Sequence, residues 1–209
     1  EAGLKAVTIC GSGEPLIHPH IEEILYGIHE IGLEIGIFTN ASHMPQNVKK
    51  AILETCTFVR CSVNASNTEE HETVHQVPDD FDNVVGNIRE LVKQKRELGQ
   101  DFPTIGTQFV FYDKNYMSIE RAARLWKDVG VDYFAVKPLI EGEGSSVGLK
   151  VFSAQDTEAV KRQMELAKAC ESESYEVHTK YTQYQKTLAE APKKYRLCYG
   201  QAMNTNLWA

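Results

Sequence analysis

The chain has no run of about 20 apolar residues, the length a membrane-spanning helix requires; its apolar runs cover only a few positions each. No basic segment followed by an apolar stretch stands at its start, so no secretory signal is visible there. Cysteine is scarce. Cys10, Cys56, Cys61, Cys170 and Cys198 make five, an odd count, and no two share a C-x-x-C or similar close spacing. That argues against a disulfide framework and against a metal site built on cysteine pairs. Cys10 and Cys61 sit inside apolar runs as small hydrophobes, and a reducing, cytoplasmic setting is the simplest fit. Positive charge is also in deficit. With 22 Lys and Arg against 29 Asp and Glu the net charge is −7, which speaks against a nucleic-acid-binding surface. Internal repeats and low-complexity linkers are missing as well.

What is present is an ordinary globular composition: 209 residues, 42% hydrophobic and 24% charged. That is enough for one domain with a sizeable core, or for one domain and a short appendage. Two periodicities alternate along it. Strand-like runs are expected at residues 5–10, 33–39, 58–63, 104–112 and 133–139, with one more at 175–181. Helical spacing is expected over 20–31, 47–54, 81–98, 118–129 and 154–170. The polar stretch 64–80 reads as a long loop, and 142–148 as another.

Five strands separated by helices, with short connections, point to a parallel α/β sheet or barrel. The strands are nearly continuous apolar runs, as expected where both faces are covered. Polar residues follow them directly: Glu14, Asn40, Asn64, Asp113 and Glu141. In parallel α/β folds ligands bind at that edge.

The sharpest local signal is Gly11-Ser12-Gly13-Glu14-Pro15-Leu16-Ile17-His18-Pro19, directly after the first strand. Its glycines permit a tight turn and a close ligand, and its proline stops the strand. Open backbone carbonyls plus one carboxylate make an acceptor-rich nest suited to an ammonium group. A merely tight turn accounts for the same residues.

The string resembles the Gly-Gly-Glu-Pro motif of radical S-adenosylmethionine enzymes, with Ser12 in place of a frequent glycine. Phe38-Thr39-Asn40-Ala41 resembles that family's Thr-Asn-Gly, and Cys61-Ser62-Val63-Asn64-Ala65-Ser66 its Ser-Leu-Asp-Gly segment, with His71 following. Thr107 to Asn115 and Gly130 to Leu139 resemble the next two strands and their exits. The five segments keep the family's order over about 140 residues.

The resemblance implies an α/β fold, a partial (β/α)6 TIM-like open barrel lacking its first strand. The barrel would span 1–171, and 172–209 would be a linker and the start of a C-terminal auxiliary-cluster (SPASM or twitch) extension. It implies S-adenosyl-L-methionine and a [4Fe–4S] cluster as cofactors, cleavage to a 5′-deoxyadenosyl radical, and hydrogen abstraction from a small-molecule or peptide substrate. An electron donor such as a flavodoxin or ferredoxin would be a partner; nucleic acid and membrane would not. Residue by residue, Gly11, Ser12, Gly13 and Glu14 would hold the methionine amino group, with Thr39 and Asn40 beside them. Ser62 and Asn64 would face the methionine carboxylate and ribose, Gln108 would join them, and Lys137, Pro138 and Leu139 would lie near the adenine. The family's arginine beyond the His71 region is replaced here by Gln76. Its C-x-x-x-C-x-x-C cluster motif has no counterpart in the sequence, and the resemblance places that motif ahead of Glu1. Cys198, in Cys198-Tyr199-Gly200, resembles the opening cysteine of the extension and implies an auxiliary cluster; a single free thiol accounts for it equally.

Two other readings stay open. One is a cluster-free α/β binding or scaffold protein retaining a nucleoside pocket. The other is a metal-dependent hydrolase or isomerase using His18, His20 and Glu14. His71 and His75 have the i,i+4 spacing of a helical metal pair but fall in an expected loop, and Gly142 to Ser146 lacks the lysine and spacing of a phosphate loop.

Overall fold

The computed structural model describes residues 3–11, 13–139, 153–182 and 185. Ser12, Glu141, the 142–148 loop and Cys198 lie outside the described residues.

The elements follow the sequence periods closely: β1 (Ala6–Ile9), α1 (Ile21–Glu30), β2 (Glu34–Thr39), α2 (Gln46–Thr55), β3 (Phe58–Ser62), α3 (Thr68–His75), α4 (Phe81–Glu97), β4 (Thr104–Phe111), α5 (Ile119–Val129), β5 (Tyr133–Pro138), α6 (Ala154–Lys168) and β6 (Glu176–Thr179). The strands form one six-stranded parallel sheet in chain order. Right-handed crossovers between strands added in one direction put every helix on the same face. Ile35, Ile37, Val59, Cys61, Ile105, Phe109, Phe134, Val136 and Val177 point to that face and are wholly buried. No helix among the described residues is long and apolar enough to cross a membrane.

Alternate positions make the inner face, opposite the helices. Two close approaches shape it. A Cβ on Gly36 would lie 2.2 Å from the Phe58 ring, and one on Gly106 would lie 2.1 Å from the Tyr133 ring. Each glycine gives its neighbour on the next strand room to lie flat across the sheet. Phe38 and Phe58 meet at 5.9 Å, so aromatic rings line the lower part of this face.

One stretch differs from the sequence expectation, and the further run expected at 175–181 contains a strand. The stretch expected as a long loop contains α3. That helix has no apolar stripe (Thr-Glu-Glu-His-Glu-Thr-Val-His), so hydrophobic periodicity does not reveal it. It starts because the Asn67 side chain accepts from the Glu70 N–H at 2.8 Å, and it buries His71. That strand, β6, pairs in parallel with β5. The sheet therefore runs past residue 171 and counts six strands, with Val177 fully buried in the core.

Candidate functional site

All strands of a parallel sheet end on one edge, so the loops after β1 to β4 meet there. The first turn is held by Glu14. One carboxylate oxygen accepts from the Leu16 N–H at 3.1 Å and from the Thr39 hydroxyl at 2.6 Å; the other accepts from the Asn40 N–H at 2.6 Å. Thr39 Oγ1 in turn accepts from the Ala41 N–H at 2.9 Å. Ala41, where the resemblance has glycine, adopts a left-handed backbone with φ 61°. The Glu14 carboxylate thus clips the β1 exit to the β2 exit. The resemblance gives it the methionine amino group; three of the carboxylate's acceptor positions are used within the chain, and the oxygen facing Asn40 keeps a second acceptor position. Further acceptors for an ammonium are the carbonyls of Gly11 and Gly13, which no hydrogen bond among the described residues engages. Open space around the Gly13 α-carbon keeps the turn accessible.

Asn64 and Asn115 build the next part of the edge. Asn64 Oδ1 accepts from the Val110 N–H at 2.8 Å. Asn115 Nδ2 donates to the carbonyls of Asn64 at 2.9 Å and Val110 at 3.0 Å, and its Oδ1 accepts from the Tyr112 N–H at 2.8 Å. Asn115 is 1% exposed, so its amide serves only the backbone. The Asn64 Nδ2 donors have no partner among the described residues. Ser62 and Gln108 stand opposite each other in register on the inner face, and neither side chain has a hydrogen-bond partner among the described residues. Lys137 and Leu139 follow on β5 and just beyond it. The Leu139 N–H donates to the Phe111 carbonyl at 2.9 Å, Pro138 is buried, and Leu139 is partly exposed.

Sequence reasoning missed Glu70 and Arg121 and placed His71 and His75 in a loop. His71 and His75 do lie on a helix, α3, with their rings stacked at 4.5 Å. Burial pushes His75 down to about 4, its neighbour His71 adding to the effect, and burial lowers His71 as well. A neutral His75 accepts from the Asn64 N–H through Nε2 at 3.3 Å, so that nitrogen is engaged in positioning Asn64. Glu70 accepts from the Ser66 N–H at 2.6 Å and from the Ser118 hydroxyl at 2.5 Å. Arg121 reaches from α5 to donate to Ser66 Oγ at 2.7 Å. Gln76 closes α3 in a left-handed backbone with φ 58°, so the guanidinium near this edge is Arg121. The contacts of Asn64 with Val110 and Asn115, of Glu70 with Ser118 and of Arg121 with Ser66 join residues 46 to 55 positions apart, which no local motif reveals.

The metal alternative at His18, His20 and Glu14 does not find converging ligands. His18 Nδ1 accepts from the His20 N–H at 3.2 Å, His20 meets Glu23 at 3.3 Å, and Glu14 faces Thr39 and Asn40. No group of three His, Cys, Asp or Glu among the described residues is placed to hold a metal. Two clefts lie away from the turn after β1. One of about 380 Å³ lies between α6 and the end of β6, lined by residues such as Lys161, Met164 and Thr179. The other, of about 270 Å³, surrounds the Lys95–Asp132 pair at the opposite end of the sheet. The groups without partners among the described residues at the strand exits are carbonyl acceptors on one side, and hydroxyl and amide donors on the other.

No family model matches the sequence. Over 139 residues it is 28% identical to the tungsten-containing aldehyde ferredoxin oxidoreductase cofactor-modifying protein of Pyrococcus furiosus, a match covering 66% of this chain and 38% of that one. Streptococcus suis SuiB, solved with S-adenosylmethionine, superposes with a TM-score of 0.66 at 17% identity over 87% of this chain and 41% of SuiB; SuiB is also solved with its precursor peptide SuiA. A radical SAM methyltransferase from Sphaerobacter thermophilus superposes with a TM-score of 0.58 at 16% identity, over 84% of this chain and 51% of that one. The chain spans about two fifths of the length of the first two relatives. It shares its parallel α/β fold with these radical SAM structures.

Proposed function

We propose that this chain forms the cofactor-binding and substrate-facing part of a radical S-adenosylmethionine enzyme. The observation that carries the reading is the turn at Gly11 and Gly13. Its two unpaired carbonyls are held beside the Glu14 clip, on the same sheet edge as the free donors of Ser62, Asn64 and Gln108. Together, S-adenosylmethionine and a [4Fe–4S] cluster supply one-electron cleavage of the cofactor's C–S bond and hydrogen abstraction from a substrate.

In this reading the Gly11, Ser12 and Gly13 backbone accepts from the methionine ammonium. Glu14 fixes that turn through Thr39 and Asn40. Ser62, Asn64 and Gln108 donate to the carboxylate and ribose, with Arg121 adding positive charge near Ser66. Pro138 and Leu139 offer backbone and apolar surface to the adenine. The aromatic rings of the inner face exclude water from the space below, which protects a reactive carbon centre. The cluster's cysteine triplet has no counterpart in this sequence, and the reading requires it from the rest of the protein. An auxiliary cluster at Cys198, a peptide or small-molecule substrate, and a flavodoxin or ferredoxin donor belong to the same proposal.

The test is anaerobic incubation of the cluster-reconstituted full-length protein with S-adenosylmethionine and dithionite. Release of methionine and 5′-deoxyadenosine is expected. Binding of S-adenosylhomocysteine with no 5′-deoxyadenosine formed would instead identify a cluster-free nucleoside-binding protein.

A further inference from the structure

The chain carries a net charge of −7, yet the inner face of its sheet gathers cations. Arg60 lies at the middle of β3, aligned with Phe38 on one side and Gly106 on the other. Lys137 stands one residue before the end of β5 on the same face, and Lys180 follows β6, its N–H donating to the Val136 carbonyl at 3.1 Å. The three feel one another. Burial lowers the proton affinity of Lys137, and the charges of Arg60 and Lys180 lower it further.

None of the three has an acidic partner among the described residues. Buried cations elsewhere among the described residues do have partners. Lys95 pairs with Asp132 at 2.8 Å, and Lys49 donates to the Met44 carbonyl and to Asn87. The acids on the inner face are engaged or distant. Glu176 pairs with His178 at 3.2 Å, Glu34 lies at the far end of β2, and Glu14 belongs to the strand-exit clip. Like charges gathered on a half-buried surface repel, and a bound anion relieves that repulsion.

Arg60 is also pre-oriented. Its guanidinium carbon sits 3.7 Å from the centroid of the Phe38 ring. Stacking fixes the guanidinium plane and leaves its N–H edge for a two-oxygen acceptor.

We propose that Arg60, Lys137 and Lys180 form a binding site for an oxyanion of the substrate, a carboxylate or a phosphate, on the inner face beside the strand-exit turns. The idea rests on the cofactor reading above, since it assigns this anion to substrate rather than to cofactor. It narrows the substrate to an acidic metabolite, a phosphorylated compound or an acidic peptide.

The experiment is calorimetric titration of the full-length protein with inorganic phosphate and, separately, with acetate, alongside S-adenosylhomocysteine. One anion is expected to bind per chain, weakly, and the tighter of the two identifies the oxyanion. Arg60→Gln and Lys137→Gln should each weaken it about ten-fold or more, with Arg60→Lys restoring part of the loss. Lys180→Gln, at an exposed position, should weaken it without disturbing the fold. Arg60→Gln should leave S-adenosylhomocysteine affinity within about two-fold. The proposal is overturned if neither anion binds, if the glutamine variants bind as wild type does, or if cofactor-analogue affinity falls together with anion affinity. Anion binding that persists where S-adenosylhomocysteine fails to bind would support this site and remove the cofactor reading alone.

Discussion

The hydroxyl of Thr39 donates to the carboxylate of Glu14 at 2.6 Å, across 25 residues of chain. The next residue, Asn40, gives the other carboxylate oxygen its backbone N–H at the same distance. Two strand exits are thereby locked in a fixed relation. The turn that presents the Gly11 and Gly13 carbonyls cannot shift without breaking charge-assisted hydrogen bonds, which are about twice as strong as neutral ones.

Replacing Glu14 by Gln therefore costs more than its near-isosteric shape implies. One oxygen becomes an NH2 donor, which must face the N–H of Asn40 or the hydroxyl and N–H donors on the other side. A loss of about 1–2 kcal/mol in urea unfolding is expected, with S-adenosylhomocysteine affinity falling in parallel. An unchanged affinity in Glu14→Gln would show that the clip does not set the turn.

Asn115→Ala removes an amide that satisfies two carbonyls and one N–H while buried. About 2–3 kcal/mol of destabilisation is expected, read from chemical denaturation. Asn64 loses its anchor as well, so analogue affinity should drop even at temperatures where the variant is fully folded.

The stacked pair His71 and His75 predicts acid sensitivity. Unfolded histidine takes up a proton near 6.5, whereas folded His75 resists until about 4. Between those values the unfolded chain binds more protons than the folded one. Stability is thus complete above 6.5 and declines as pH falls toward 4. His75→Leu should flatten the stability profile in that window. An equally steep profile in the variant would assign the acid sensitivity elsewhere.

Gly106→Ala places a methyl group against the Tyr133 ring, 2.1 Å from its nearest atom. Overpacking of this kind costs about 1–3 kcal/mol. Pairing it with Tyr133→Leu should recover part of the loss, and a double-mutant cycle on thermal unfolding measures the coupling. Additive losses would mean that the ring does not lie across Gly106 in solution.

Most of the sheet was legible in the sequence because its strands are apolar runs and its longer helices carry apolar stripes. Ile105, Phe109 and Phe111 of β4, and Trp126 of α5, announce their own burial. Thr68–His75 was not legible: its stability comes from the Asn67 cap and from histidines stacked under Asn64, neither of which leaves a period. At the site, the glycine turn and the asparagines after β2 and β3 were visible as strand-exit polar residues. The contact of Glu14 with the β2 exit was not, because nothing local marks a partner 25 residues away. Arg60 was hidden inside a strand-like run, and only the register that sets it beside Phe38 gives it meaning.

The most direct test is a crystal structure of the full-length protein with S-adenosylhomocysteine bound. The ligand's ammonium is expected within hydrogen-bonding distance of the Gly11 and Gly13 carbonyls, with its ribose beside Ser62 and Asn64. A ligand seated instead in the cleft between α6 and the end of β6, around Met164 and Thr179, would contradict the account.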